Sequence, residues 1–241
     1  MASPKNTSNL SALKPIPSWA NSALQGIVYW VGYRDSYYRH HLLSESAIVS
    51  ELCNLINANM DQENRLYCEV MYQDLNCTEN ELKQKRADLV IKRVNTTQDA
   101  KFQENPESKN EGKEPPKEFI ECVIEVKRFV PQQARYHVPS TGKQYTQISK
   151  DLERLQKFLD KQPDSLRAFC ILVTHHIRPD KFITENGMAR KIKEMNGVPC
   201  RVLRVWRAMH SVKKRSSVEN QPQNRTHYAC LIEVFRSSPK V

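Results

Sequence analysis

The sequence of 241 residues is long enough for one moderately large domain, and its formal net charge of +10 favours a polyanionic partner, either nucleic acid or an anionic membrane surface. No apolar run approaches the ~20 residues of a membrane span, so we expect no membrane-spanning segment. Seven scattered cysteines without a CxxC pair argue against a disulfide framework and a structural zinc site. Because the N-terminus also lacks the apolar core of a signal peptide, we expect an intracellular protein, in the cytoplasm or in a nucleus or nucleoid.

The chain begins with a polar segment, residues 1–18, which contains Pro15 and Pro17. We predict that this segment is a flexible tail ahead of a single domain that spans residues 19–241. The first part of that domain, Trp19–Tyr38, is rich in aromatic side chains. This composition is typical of a segment that packs against a core, and base stacking is the functional alternative.

A helix is predicted to begin after Ser44, a typical N-cap residue, and to end near Asn59. Its apolar stripe consists of Ile48, Val49, Leu52, Leu55 and Ile56. Glu45 lies near the middle of that stripe, whereas Glu51 lies well to its side. A carboxylate on the core-facing side calls for a metal, a cation or solvent, because an unpaired buried charge is costly. The alternative is a wetted charge that favours the positive N-terminus of the helix.

Two strands are predicted next, Leu66–Tyr72 and Ala87–Val94, because both segments are rich in β-branched and aromatic residues. The residues that follow, Asn95–Glu118, are almost all polar, with Phe102 as the lone large apolar side chain. They are predicted to form a solvated insertion. The nearly continuous apolar run from Phe119 to Lys127 then indicates a central strand.

An amphipathic helix is predicted from Gly142 to Leu159. Its apolar residues recur at helical spacing, at Tyr145, Ile148, Leu152, Leu155 and Leu159. The outer face of this helix is predicted to carry Lys150, Asp151, Arg154 and Lys157.

The remaining predicted elements are the strands Ala168–Thr174, Arg201–Met209 and Tyr228–Phe235 and the short helix Thr184–Met195. The resulting order of helix, strands, helix, strand, helix and strands predicts an α/β sandwich around a mixed sheet. His175 and His176 end the first of these strands. Without a third ligand at zinc-like spacing, we interpret both as polar strand-end residues.

Asp88, Glu125 and Lys127 are the residues whose placement suggests chemistry. Alternate side chains of a strand point to the same face, so Glu125 and Lys127 share one. If the strand that begins with Asp88 is their neighbour, two carboxylates and one ammonium group converge. Carboxylate oxygens hold Mg²⁺, which polarises a phosphate and activates a bound water, and a lysine orients that water or helps to deprotonate it.

Asp88 followed by Glu125-Val126-Lys127, between a helix that bears Glu45 and a second amphipathic helix, resembles the PD-(D/E)XK superfamily of nucleases. The resemblance covers roughly Leu43–Thr174 and implies a helix–strand–strand–strand–helix–strand core, with a restriction-endonuclease-like mixed central sheet flanked by helices. It implies that Asp88, Glu125 and the carbonyl of Val126 bind the metal and that Lys127 is the catalytic lysine. Many members add a glutamate from the first helix, for which Glu45 is our first choice and Glu51 the second. The family's usual proline before the first aspartate is replaced by Ala87.

These residues together predict an Mg²⁺-dependent nuclease that cleaves nucleic acid, most simply DNA, with Mn²⁺ as a substitute ion. A homodimer is compatible with this function, and the alternative is a catalytically silent binding or interaction module on the same fold. We expect basic residues to contact phosphates. The candidates are Lys85, Arg86, Arg128, Arg135, Arg201, Arg204, Arg207, Lys213, Lys214 and Arg215. The alternative for each of them is a solvated charge.

Overall fold

The computed structural model describes residues 14–37, 43–77, 79–94, 118–129, 141–175, 198–212 and 223–237. Its elements in chain order are α1 Ser18–Tyr37, α2 Glu45–Asn57, β1 Asn64–Met71, a 3-10 turn Tyr72–Leu75, α3 Asn80–Lys83, β2 Arg86–Val94, β3 Glu118–Phe129, α4 Thr141–Leu159, β4 Arg167–His175, β5 Cys200–Val212 and β6 Gln223–Val234. The helix predicted at 184–195 lies outside the described residues.

The strands form a six-stranded mixed sheet in the order β1-β2-β3-β4-β6-β5. Strands β3 and β4 are parallel, and every other neighbouring pair is antiparallel. Helices α1 and α2 share one apolar core with one face of the sheet, and α4 shares a second core with the other face. The predicted α/β architecture around a mixed sheet is therefore confirmed.

Helix α2 begins where its sequence predicts. The Ser44 hydroxyl accepts a hydrogen bond from the backbone N–H of Ala47 at 3.1 Å, which satisfies one donor of the first turn. The buried residues of α2 are Ile48, Val49, Leu52 and Ile56. They belong to the predicted stripe, so burial of this apolar face against the sheet fixes the rotation of the helix.

Helix α1 was not predicted as a helix, although the segment was expected to pack. Its fully buried residues recur three or four positions apart, at Ala20, Ala23, Leu24, Ile27 and Val28. The prediction of a packing segment rested on the aromatic side chains that flank these residues, at Trp19, Tyr29 and Trp30. Trp19 is buried and packs edge-on against Phe169, whereas Tyr29 and Tyr33 are exposed.

The boundaries of the tail and of the insertion differ from the prediction. The Lys14 ammonium group donates to the carbonyl of Asp164 at 3.2 Å, and Arg167 donates to the carbonyl of Pro15 at 2.7 Å. Residues 14–18 are thus attached to the domain, and residues 1–13 lie outside the described part. Glu118 belongs to β3, where it pairs with Lys92 at 3.3 Å, and residues 95–117 lie outside the described part.

Among the described residues, no helix is both long enough and apolar enough to cross a membrane.

Replacing residues 95–117 with a two-residue Asn-Gly turn is expected to preserve the fold. Val94 and Glu118 are directly paired across β2 and β3, so a short hairpin loop can join these antiparallel ends. Thermal unfolding followed by circular dichroism should remain cooperative, with a melting temperature close to that of the full chain. Loss of the cooperative transition would show that the excised residues are needed for folding.

Candidate active site

Strands β2 and β3 bring Asp88 and Glu125 together. Leu89 pairs with Ile124 and Val90 with Val123, and the same register continued by one residue places Asp88 opposite Glu125. Residues directly opposed in an antiparallel pair have side chains on the same face. The two strands are therefore neighbours, which is the condition under which the sequence predicts that these charged groups converge.

Lys127 is at the centre of the charged groups on this face, and only 7% of the residue is exposed. Its ammonium nitrogen Nζ lies 2.8 Å from Glu45 Oε1, 3.5 Å from Asp151 Oδ2 and 3.9 Å from Asp88 Oδ2. Burial lowers the pKa of Lys127, but the carboxylates of Asp151, Asp88 and Glu45 raise it by more. The net pKa is above the ordinary value, so Lys127 is charged at neutral pH.

Glu125 lies two residues before Lys127, on the same face of β3, and only 1% of the residue is exposed. Its Oε1 accepts a hydrogen bond from the Tyr72 hydroxyl at 2.8 Å, and its Oε2 lies 2.7 Å from Nη2 of Arg154. The same Nη2 is 2.9 Å from Asp151 Oδ1. Burial raises the pKa of Glu125 to about 7, although Arg154 lowers it in part. This carboxyl group therefore titrates near neutral pH.

Asp88 is held by the backbone of β3. Its Oδ2 accepts a hydrogen bond from the N–H of Val126 at 2.6 Å. Burial raises the pKa of Asp88, and the Lys127 ammonium group offsets part of that rise. Asp88 and Val126, which the sequence resemblance implies as metal ligands, are thus in contact through the N–H of Val126.

Glu45, and not Glu51, is the glutamate of α2 that reaches this site. Besides its contact with Lys127, Glu45 Oε2 accepts from the backbone N–H of Arg128 at 3.4 Å. The side chain of Glu45 is 40% exposed, so water reaches the group from this side. Glu51 lies six residues later, about 9 Å further along the helix axis.

Asp151 and Arg154 are functional candidates that the sequence did not reveal, and their assignment to the outer face of α4 is wrong. Asp151 is buried and follows the buried Ile148 by three residues, which places both on one side of the helix. The predicted apolar face of this helix did not include Phe158. This residue is fully buried and extends the apolar face toward Asp151. Tyr72 was also missed, because its hydroxyl partner Glu125 is distant in sequence.

We call these charged residues the Lys127 cluster; its members are Glu45, Asp88, Glu125, Lys127, Asp151 and Arg154. Four carboxylates face two cations, which leaves an excess of two negative charges when all are ionised. Asp151 Oδ2 is buried, and its contact with the Lys127 ammonium group is long, at 3.5 Å. The all-oxygen donor set and the charge balance suit a divalent cation such as Mg²⁺.

The oxygens of the Lys127 cluster nevertheless do not converge on one point. Among the described residues, the group with three potential ligand atoms within 4.8 Å of one another contains no member of the Lys127 cluster. Binding an ion here would require the carboxylates to close around it and Glu125 to loosen its contact with Arg154. The cluster fits a metal in donor type and charge rather than in preformed coordination.

The predicted phosphate-contacting residues that the structure describes lie in two places, near the Lys127 cluster and on β5. Lys85 and Arg86 are exposed and directly precede the strand residues Ala87 and Asp88, so they lie beside the Lys127 cluster. Arg128 is partly buried, and its guanidinium group donates to the carbonyl of Leu43. Arg135, Lys213, Lys214 and Arg215 lie outside the described residues.

The arginines of β5 lie at the far edge of the sheet, three strand spacings or about 14 Å from β3. Arg201 is paired with the buried Glu233 of β6, with Nη2 2.7 Å from Oε2. Arg204 donates to Asn21 of α1 at 3.1 Å, while Arg207 is exposed. The basic run from Arg201 to Arg215 contains no acidic residue. The neighbouring strand β6 supplies Glu233, so Arg201 forms a structural ion pair.

No protein-family model, characterised protein or solved structure matches this chain. The geometry of the Lys127 cluster is therefore the observation on which a functional proposal rests.

The metal-free protein is expected to lose stability through Glu125 as the pH rises from about 4.5 to about 7. In that window the folded protein holds a proton on Glu125 that the unfolded chain has released. The stabilisation from this proton is therefore complete below the pKa of Glu125 in the unfolded chain and is lost above its pKa in the folded protein. Glu125→Gln removes this titration, so the stability of the variant relative to wild type should rise with pH. Urea unfolding in chelator at about pH 5 and about pH 8 measures the difference. An identical pH dependence of the two proteins would contradict the raised pKa.

Proposed function

We propose that this chain is a metal-dependent nuclease of the PD-(D/E)XK type that hydrolyses phosphodiester bonds in DNA. The observation that carries the proposal is the convergence of Glu45, Asp88 and Asp151 around the buried ammonium group of Lys127, with Glu125 on the same strand. These residues come from α2, β2, α4 and β3, so the fold assembles the group from four separate elements.

The order of the elements supports the same proposal. The run α2, β1, β2, β3, α4, β4 agrees with the helix–strand–strand–strand–helix–strand core that the sequence resemblance implies, apart from the short α3 and 3-10 turns. The acidic residues also occupy the positions that the resemblance assigns, with Asp88 near the start of β2 and Glu125 within β3. A restriction-endonuclease-like arrangement of this sheet is accordingly part of the proposal.

In this proposal Asp88, Glu125 and the carbonyl of Val126 would hold a Mg²⁺ ion, for which Mn²⁺ would substitute. Such an ion would polarise the phosphate and lower the pKa of a bound water. Lys127 stays protonated in the environment described above, so its part is to donate hydrogen bonds to the attacking water and to offset charge on the phosphate. It does not act as a base while its carboxylate partners are in place.

The neighbouring residues position these groups. Glu45 holds the Lys127 ammonium group at 2.8 Å, which fixes the direction of its remaining donors. Arg154 bridges Glu125 and Asp151, which keeps two like-charged groups of β3 and α4 in place. Lys85 and Arg86 are exposed beside the acidic residues and supply the positive charge that a DNA backbone requires near this negative cluster.

One observation favours the second candidate function, a silent nucleic-acid-binding module. Both oxygens of Glu125 are occupied by Tyr72 and Arg154, so the ion-pair network satisfies this carboxylate without a metal. A buried network of this kind is able to persist after catalysis is lost. The two functions differ in whether divalent ions switch on cleavage.

Wild-type protein is expected to cleave plasmid or linear DNA in Mg²⁺ or Mn²⁺ and to stop in EDTA. Asp88→Asn and Lys127→Met should each reduce cleavage by on the order of 100-fold or more, because each removes a group required for chemistry. DNA binding, measured by fluorescence anisotropy in EDTA, should be largely retained, since it depends on many phosphate contacts.

The matched control is Lys92→Met, which removes a lysine from β2 whose partner is Glu118 rather than the Lys127 cluster. This variant should cleave as wild type does. Binding without cleavage in any divalent ion, with Asp88→Asn indistinguishable from wild type, would contradict the nuclease and favour the silent module.

Glu45→Gln is expected to reduce the cleavage rate while Glu51→Gln leaves it unchanged. Glu45 contacts the Lys127 ammonium group, and the amide that replaces it keeps the shape of the side chain but removes its charge. Single-turnover cleavage rates compare the two variants of α2, and thermal unfolding confirms that both fold. The reverse ranking would show that Glu45 has only a helix-capping or solvated role.

A further inference from the structure

A second group of polar side chains lies at the end of β4, on the side of the sheet that packs against α1. His175 of β4 is directly paired with His227 of β6. Val173, two residues earlier, belongs to the core shared with α1 and α2, so His175 also faces that side. Asp35, near the end of α1, is the third member of the group.

These three residues are arranged for ligation. One nitrogen of each histidine and one oxygen of Asp35 lie within 4.8 Å of one another. Nδ1 of His175 is 3.1 Å from Nδ1 of His227, and Nε2 of His227 is 3.5 Å from Asp35 Oδ2. The sequence did not reveal this set, because the three residues lie far apart in the chain and none of the spacings is that of a zinc motif.

The burial of His227 is a second observation that points to a ligand at this position. Only 2% of this residue is exposed, and its Nε2 atom has no close hydrogen-bond partner among the described residues, since Asp35 Oδ2 is 3.5 Å away. His210 of β5, whose ring centre is 5.9 Å from that of His227, also has a buried Nε2 without such a partner. Buried polar atoms are normally satisfied, so two such imidazole nitrogens beside a carboxylate call for a cation or an ordered water.

We propose that Asp35, His175 and His227 bind a zinc ion. Two imidazole nitrogens and one carboxylate oxygen are a donor set that zinc accepts, with water in a fourth position. Zinc–nitrogen bonds of about 2.0–2.1 Å place tetrahedral ligand atoms about 3.3 Å apart, close to the 3.5 Å between Nε2 of His227 and Asp35 Oδ2. His175 would exchange its 3.1 Å contact with Nδ1 of His227 for the ion, which requires its ring to turn.

Arg225 holds the carboxylate of this site, with Nη1 2.8 Å from Asp35 Oδ2. Ligating carboxylates are commonly hydrogen-bonded by an outer group of this kind, which orients them. The guanidinium charge also limits the affinity for a dication. The bound ion would tie the end of α1 to β4 and β6.

This site is separate from the Lys127 cluster in position and in chemistry. Lys127 shares a face of β3 with Val123 and Phe129, which pack in the core beneath α4, whereas the histidines face α1. Nitrogen ligands favour zinc and all-oxygen ligands favour Mg²⁺, so the two groups select different ions. The zinc proposal therefore holds whether or not the chain is a nuclease.

The test uses the full chain stripped of metal with a chelator and then titrated with Co²⁺, whose visible absorption reports tetrahedral or five-coordinate nitrogen ligation. One equivalent of Co²⁺ should produce these bands, and one equivalent of Zn²⁺ should abolish them. His175→Gln and Asp35→Asn should each weaken binding by about tenfold or more. These two residues are more exposed than His227, and thermal unfolding in chelator verifies that both variants fold.

The control is His137→Ala, which removes a histidine from outside the described residues and should bind Co²⁺ and Zn²⁺ as wild type does. Asp88→Asn alters the Lys127 cluster and separates the two sites, so this variant should keep the absorption bands of nitrogen ligation. Absence of the absorption bands in wild type would overturn the proposal, and so would bands that survive His175→Gln but disappear in Asp88→Asn. Because no nucleic acid is present, failure here is distinguishable from failure of the nuclease function.

Discussion

The buried ammonium group of Lys127 is the constraint on which the arrangement of the helices depends. Transfer of a charged amine from water into a protein interior costs several kcal/mol or more unless opposite charges compensate it. Here Glu45 comes from α2, Asp88 from β2 and Asp151 from α4, so the compensation requires both faces of the sheet to be covered at once. Docking of these helices and neutralisation of Lys127 are therefore coupled, and a shift of either helix would leave charge uncompensated.

The rest of the sheet explains why such a cluster is tolerated. Strand β4 is buried along nearly its whole length, and the two apolar cores on either side pack α1, α2 and α4 against the sheet. Burial of apolar area supplies most of the stability of such a domain. The charged residues of β3 lower the stability of the domain locally. A local loss of stability of this kind is expected where residues are selected for function rather than for folding.

Much of this architecture follows from local sequence pattern, because strands and amphipathic helices have short periods. The apolar runs predict all six observed strands, and the Ser44 cap with its stripe predicts α2. What was missed depends on contacts between distant residues. Arg201 finds Glu233 on the next strand, and Arg154 finds Glu125 across a helix–sheet interface, so charge runs in the sequence did not reveal which arginines are paired. The pairing of His175 with His227 likewise arises only from the strand order.

The central claim is that the Lys127 cluster is a divalent-metal site, and crystals of the full chain soaked in Mn²⁺ test it most directly. The account predicts an anomalous scattering peak between Asp88 and Glu125 in wild type, with the Arg154 guanidinium group displaced from Glu125. The peak should be missing in Asp88→Asn crystals, whose ion-pair network is otherwise preserved. An intact contact between Arg154 and Glu125 with no manganese at this position, at concentrations that saturate other sites, would contradict the account.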